Sequence, residues 1–346
     1  MDNSERIDRD LIVIGGSAGA LSVLLEMVAA LPADLAAAVM VVVHQSQSQP
    51  GRLPAILSNR GPLIAEHATD GAAIELGRIY IAPPDHHLLI EPGRIRLSRG
   101  PKENRFRPAI DPLFRTASRA YGPQVIGVIL SGLLDDGTLG SMRVKHAGGT
   151  VIAQDPASAD AGDMPASVIG NVACDYILRP NEFAGILAKL VQEPSIVATL
   201  KATSPMTRNE FSPESMSRLP SETGDTADRG NNALATGQDL GSPIGLTCPQ
   251  CGGAVWERTE GGLVSYRCHV GHAFTADAMA DDHNSQLEST LWEAVRMFQE
   301  NAALHRRMEA KTRERGVHDM ADRYGERAQE QETRSELMRK LLLKET

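Results

Sequence analysis

From Leu11 to about residue 195, short apolar runs alternate with amphipathic stretches. "LIVIGG", "AAVMVVVH", "RIYIAPP", "VIGVILSG", "GTVIAQD" and "CDYILRP" are β-branched or aliphatic, and each ends in a turn signal. Near-continuous apolar strands are those of a parallel sheet covered on both faces. Between several of them lie helical patterns such as "ALSVLLEMVAAL" and "IDPLFRTASRAYG". The alternation predicts a doubly wound α/β fold with a mostly parallel sheet in a three-layer arrangement. "HHLLIEPGRIRLSRGP" differs: two strand runs flank "EPGR", which predicts an antiparallel hairpin at an edge.

Beyond this first domain, 1–195, the texture changes. Residues 196–243 are dominated by Ser, Thr, Asn, Gly, Asp and Pro without sustained periodicity, the composition of a flexible linker. A compact segment follows at 244–275, then a long polar helical pattern at 276–346. In that tail Leu287, Leu291, Val295, Phe298 and Ala302 form one apolar stripe. It reads as a solvated helix packing on the preceding segment or on itself, with self-association as a coiled coil the alternative.

Composition narrows the class. A hydrophobic content of 42% with only 4% aromatics implies a core built from aliphatics and alanine. A formal charge of −9 argues against nucleic acid as the partner. No basic segment followed by an apolar core marks a signal peptide, and "AAAVMVVV" is too short to span a bilayer. The expectation is a soluble cytoplasmic protein with no membrane insertion.

The chemistry begins at Gly15-Gly16-Ser17-Ala18-Gly19, a G-x-S-x-G motif between a strand and a helix. A serine on so sharp a turn projects above the sheet, and the helix N-terminus beyond it offers N–H groups to an oxyanion. Phosphate-binding alternatives are weaker: no Lys completes a Walker A loop, and the dinucleotide fingerprint needs Gly at position 17. On the motif alone, a nucleophile and a helix-capping serine stand level. A nucleophilic serine needs a base. His44 ends the second strand run, on the rim where ligands of open α/β sheets gather. An acid should orient that imidazole, and Asp135 and Asp136 both follow the strand run "VIGVIL".

These pieces resemble a known family. "IGGSAGA", "VVVHQ", "YIAPPDHHL", "FRPAIDPLF", "GVILSGLLDDGTLG", "GGTVIAQDPASA" and "MPASVI" are similar, in order and spacing, to the catalytic domain of CheB-type protein-glutamate methylesterases. The resemblance implies a catalytic triad of Ser17, His44 and Asp136, the acid chosen because it directly precedes Gly137. It implies a carboxylic ester hydrolase acting on glutamyl γ-methyl esters of methyl-accepting chemotaxis receptors or similar signalling proteins, and deamidation of glutamines by the same acyl chemistry. No cofactor is expected for catalysis. Three departures stand out: Ala20 follows Gly19, Leu133 replaces a methionine common near the family's site, and only about ten residues precede the first strand, where the family usually carries a receiver domain. The alternatives are a catalytically degenerate scaffold module and a nucleotide-binding α/β domain.

"CPQC" at 248–251 and "CHVGH" at 268–272 give two knuckles separated by sixteen residues, the spacing of a structural zinc ribbon. Thiolates with imidazole favour zinc. The expected ligands are Cys248, Cys251, Cys268 and His272, the last preferred over His269 by resemblance to the C-x-x-G-H knuckle found after some stand-alone methylesterase domains. Cys174 stands apart and reads as an inert core thiol.

Overall fold

The computed structural model describes residues 6–7, 9–44, 52–193, 195–196 and 241–343. The linker expected at 196–243 and the loop that follows His44 fall almost wholly outside these residues. The chain divides into two compact units, Met1–Met279 and Ala280–Thr346.

In the first unit the elements run β1 (Arg6–Ile7), β2 (Leu11–Gly16), α1 (Ala20–Ala30), β3 (Ala38–Val43), α2 (Leu53–Arg60), β4 (Ile64–His67), β5 (Arg78–Ile81), β6 (His87–Glu91), β7 (Arg94–Ser98) and α3 (Ile110–Tyr121). They continue through β8 (Val125–Ile129), α4 (Thr138–His146), β9 (Thr150–Gln154), α5 (Asp163–Asn171), β10 (Tyr176–Leu178), α6 (Phe183–Gln192) and β11 (Ser195–Ile196). Seven strands form one parallel sheet in the order β10-β9-β8-β2-β3-β5-β4. Alternate residues feed two cores: Ile12, Ile14, Val39 and Val41 pack with α1, α2 and α6, whereas Leu11, Val13, Met40 and Val42 pack with α3, α4 and α5. This is the predicted three-layer α/β fold.

The expected hairpin is present as β6 and β7, a two-stranded antiparallel sheet of its own. Strand β4 has no counterpart in the predicted elements. Of its four residues Ile64 and Glu66 are exposed and Ala65 is buried, so an edge position leaves little hydrophobic signal.

The cysteine-bearing segment belongs to this same unit. It is a four-stranded antiparallel sheet of β12 (Ser242–Thr247), β13 (Ala254–Glu260), β14 (Leu263–Cys268) and β15 (Ala273–Thr275), in that order. Val255, Phe274 and Met279 join two of the cysteines in its small core.

The tail pattern is two helices, α7 (Ala276–Glu314) and α8 (His318–Leu342), separated at Gly316, whose φ of 76° takes it out of helical geometry. Within the second unit the helices run antiparallel, because Arg306 pairs with Glu332 and Arg313 with Asp322. Ala302, Ala321 and Ala328 are buried, while Leu287 at the start of the stripe is exposed. Among the described residues no helix is long and apolar enough to cross a membrane.

Candidate active site and metal centre

The chain passes from β2 to β3, goes on to the edge strand β4, fills the place between them with β5, and then crosses to β8 on the other flank of β2. The strand order therefore reverses at β2, and a crevice opens beyond its carboxyl end. Ser17 follows β2 into that crevice. Its amide donates to the Ser131 carbonyl at 2.9 Å, and its own carbonyl accepts from Ala20 at 3.1 Å. Ser131 Oγ braces the turn further, donating to the Ala18 carbonyl at 2.7 Å and accepting from the Ala161 amide at 2.9 Å. Gly19 precedes α1 with φ 78°, a left-handed conformation in which a side chain would also run into Asp160 and Ser131. Ala20 is fully buried, and its Cβ lies 2.5 Å from where a Cβ on Gly16 would stand, so Gly16 makes room for Ala20. Met164 and Ser17 flank Gly132 closely enough that a Cβ there would lie 2.8 Å from Met164 Sδ and 2.9 Å from Ser17 Cβ.

His44 stands beside Ser17 because β2 and β3 pair Gly16 with Val43, and the His44 amide donates to the Gly16 carbonyl at 3.0 Å. Its ring Nε2 lies 2.9 Å from Asp136 Oδ2. Nδ1 is buried and has no hydrogen-bond partner. Phe106 stacks on the ring at a centroid distance of 3.7 Å.

Asp136 is buried in the loop between β8 and α4. Its Oδ2 also accepts from the Ile110 amide at 2.7 Å, and its Oδ1 from Asn104 Nδ2 at 2.9 Å and the Asp111 amide at 3.2 Å. Burial would raise its pKa, but the bond from His44 and these further donors outweigh burial and hold it below the usual carboxylate range. Asp111, beside it, is pushed well up by burial and by the charge on Asp136. Asp135 points elsewhere, to the Thr275 hydroxyl at 2.6 Å.

Ser17, His44 and Asp136 are thus collected at one rim. The surrounding polar residues divide differently. Asp85 forms ion pairs with Arg107 at 2.6 Å and Arg99 at 2.7 Å. His87 is buried between the Pro101 carbonyl and the Ala109 amide. Both therefore hold the fold. The sequence reading missed Asn104, Phe106 and Asp111. Phe106 and Asp111 lie inside the matched stretch "FRPAIDPLF", but no spacing rule ties them to His44 or Asp136.

In the small sheet, one ligand atom each from Cys248, Cys251, Cys268 and His272 lie within 4.8 Å of one another. Cys251 and Cys268 sulfurs are 3.6 Å apart, and Cys268 Sγ lies 3.5 Å from His272 Nδ1. A tetrahedron of Zn–S bonds near 2.3 Å has S···S edges of about 3.8 Å, so the donor set and its size fit zinc. His269 is outside the group and lies against Gly253.

An open parallel α/β domain with serine, histidine and aspartate at its strand-order reversal is the class defined so far. The model of the CheB methylesterase family matches residues 12–187, just over half of the chain, and the chain belongs to that family. It is 35% identical over 184 residues to a putative protein-glutamate methylesterase/protein-glutamine glutaminase of Leptospira interrogans, covering 53% of this chain and 95% of that protein. It is 33% identical over 192 residues to protein-glutamate methylesterase/protein-glutamine glutaminase 2 of Methanosarcina mazei, and there spans only 52% of the relative's length. The crystal structure of the Thermotoga maritima CheB methylesterase catalytic domain aligns with a TM-score of 0.50 at 34% identity, over 53% of this chain and all of that one. The cysteine-bearing segment and the helical tail lie beyond these matches.

Proposed function

We propose that the protein is a serine hydrolase that removes methyl groups from glutamyl γ-methyl esters of chemotaxis receptors or similar signalling proteins. The observation that carries this reading is the state of His44: one ring nitrogen is bound to Asp136, the other is buried and unpartnered, and the residue sits beside Ser17 on the adjacent strand rim. With Nε2–H donated to Asp136, Nδ1 is the basic nitrogen and takes the Ser17 proton as Oγ attacks the ester carbonyl. The N–H groups of the first turn of α1 face the developing oxyanion. Collapse of the tetrahedral intermediate expels methoxide, which leaves as methanol with the proton from His44. Water, deprotonated by the same nitrogen, then attacks the acyl-serine and releases glutamate. Glutamine reaches the same acyl-enzyme with ammonia as the leaving group, which supports deamidation as a second activity. The names of the relatives agree with both reactions.

Ser17→Ala should keep the fold and abolish methanol release from methylated receptors; a variant that releases methanol at the wild-type rate sinks the reading. A scaffold module or a nucleotide-binding domain would instead leave Ser17 inert toward a fluorophosphonate in the wild-type chain.

For the second site we assign Cys248, Cys251, Cys268 and His272 as ligands of one structural zinc ion. Four protein ligands complete a tetrahedron and leave no open position for chemistry. The ion would cross-link two knuckles of a sheet whose apolar core is too small to hold it alone.

A further inference from the structure

Asn104 lies at the centre of contacts that this reaction scheme does not use. It is buried, in the loop between β7 and α3, with a left-handed φ of 47°. Its Nδ2 donates to Asp136 Oδ1 and to Asp111 Oδ2, both at 2.9 Å, and its Oδ1 accepts from the Thr275 amide at 3.0 Å. Only this orientation of the amide works: reversed, its oxygen would face two carboxylates and its nitrogen another donor. Thr275 belongs to β15 of the cysteine-bearing sheet. That strand holds the same loop elsewhere, since the Asn104 amide donates to the Ala273 carbonyl at 2.8 Å and the Ala273 amide to the Lys102 carbonyl at 3.3 Å. The Thr275 hydroxyl binds Asp135, next to Asp136, and the gripped loop also carries Phe106, which stacks on His44.

We propose that Asn104 is a positioning residue for Asp136, and that β15 holds it in place, so that the cysteine-bearing sheet is part of the framework of the esterase site. This rests on the reading of Ser17, His44 and Asp136 as the catalytic triad. The physical need is plain. Asp136 faces His44 from the rim of β3 and Asp111 from α3, with the Glu103–Arg115 pair behind Asp111 and Asp135 beside it in the chain. Two neighbouring buried carboxylates repel unless a donor lies between them, and the Asn104 amide supplies one N–H to each. Without it, Asp136 takes up a proton more readily and loses one of the bonds that orient it toward His44.

The test uses two full-length variants. Asn104→Gly keeps the left-handed backbone and removes only the side-chain amide; Thr275→Pro removes the backbone N–H that donates to Asn104 Oδ1. Protected amides in β2 and β8 establish that each is folded. Asn104→Gly should slow acylation of Ser17 by a fluorophosphonate roughly ten- to a hundredfold, the effect of one hydrogen bond to a charged group. It should also move the acid limb of the acylation profile to higher pH and shift the downfield proton resonance of the His44–Asp136 bond. Thr275→Pro should raise amide exchange across residues 102–106 and slow acylation severalfold. A wild-type rate, pH profile and resonance in Asn104→Gly would overturn the positioning role, and wild-type protection of 102–106 in Thr275→Pro would remove β15 from it. The resonance does not require turnover: a wild-type chain that never acylates would sink the esterase reading, while the resonance still reports whether Asn104 governs the pair.

Discussion

The rings of His44 and Phe106 lie face to face, 3.7 Å apart and within 10° of parallel. The stack holds the imidazole plane while Asp136 fixes its rotation, so the two contacts together leave His44 one orientation. Phe106→Leu keeps an apolar cover but loses the planar face. It should lower kcat by roughly two- to tenfold, the worth of an aromatic pair, with a smaller change in KM. Steady-state methanol release checks this; an unchanged kcat would mean that Asp136 alone holds the ring.

Asp136→Asn should be far more severe. The amide offers a donor where the carboxylate offered only acceptors, so one of its present partners, Asn104 or His44, faces a mismatched atom. Activity should fall by about 10⁴-fold through the wrong imidazole tautomer, while the sheet stays folded. Fluorophosphonate labelling alongside thermal unfolding separates the two effects.

Asp135 gives a pH dependence of stability with a definite sign. Burial, opposed by the Thr275 hydroxyl, pushes it up to about 6 from an ordinary value of 3.8. The unfolded chain ionises first, so the stability that Asp135 contributes is fully present below about 3.8, is lost as pH rises toward about 6, and changes no further above that. Asp135→Asn retains an acceptor for Thr275 and removes the charge. It should stabilise the protein at pH 8 by up to about 3 kcal/mol and change little at pH 3.5. Urea unfolding of both proteins at the two pH values measures the difference.

Glu103 has the opposite sign. Although burial opposes it, Arg115, at 2.8 and 2.9 Å, holds Glu103 at about 2 against an ordinary 4.5. Its contribution is complete above about 4.5 and is lost as pH falls toward about 2. Glu103→Gln should therefore flatten the acid limb of stability in that window, which acid titration followed by circular dichroism will record. An acid limb identical to wild type would show that other carboxylates set it.

The metal site predicts one zinc per chain by elemental analysis. Cys251→Ser or His272→Ala should lower that content and speed amide exchange in β13 and β14, with β2 and β3 still protected. Full zinc content in both variants would exclude these ligands.

Much of this was legible along the chain. The six apolar runs, the glycine turn that holds Ser17 and the strand-end place of His44 follow from patterns a few residues long: side-chain period, turn chemistry and the reach of adjacent parallel strands. The four-ligand spacing is likewise local to each knuckle. The choice between Asp135 and Asp136 came from family resemblance; in the structure Asp136 turns to His44 and Asp135 to Thr275. The break of the tail at Gly316 and the edge strand β4 carried weaker signals, because a single glycine and a four-residue strand with one buried side chain do not outweigh the patterns around them.

What only the tertiary structure decided is the company these residues keep. Asn104 meets Thr275 across 171 residues, and Asp136 across 32. Neither separation has a period or a motif, because a contact between distant loops is set by how whole layers pack. The sequence by itself determined an α/β domain with Ser17 and His44 on one rim and a pair of knuckles with the donor set and spacing of metal ligands. Packing determined that Phe106 and Asn104 hold the rim in shape, and that the strand after the second knuckle holds Asn104.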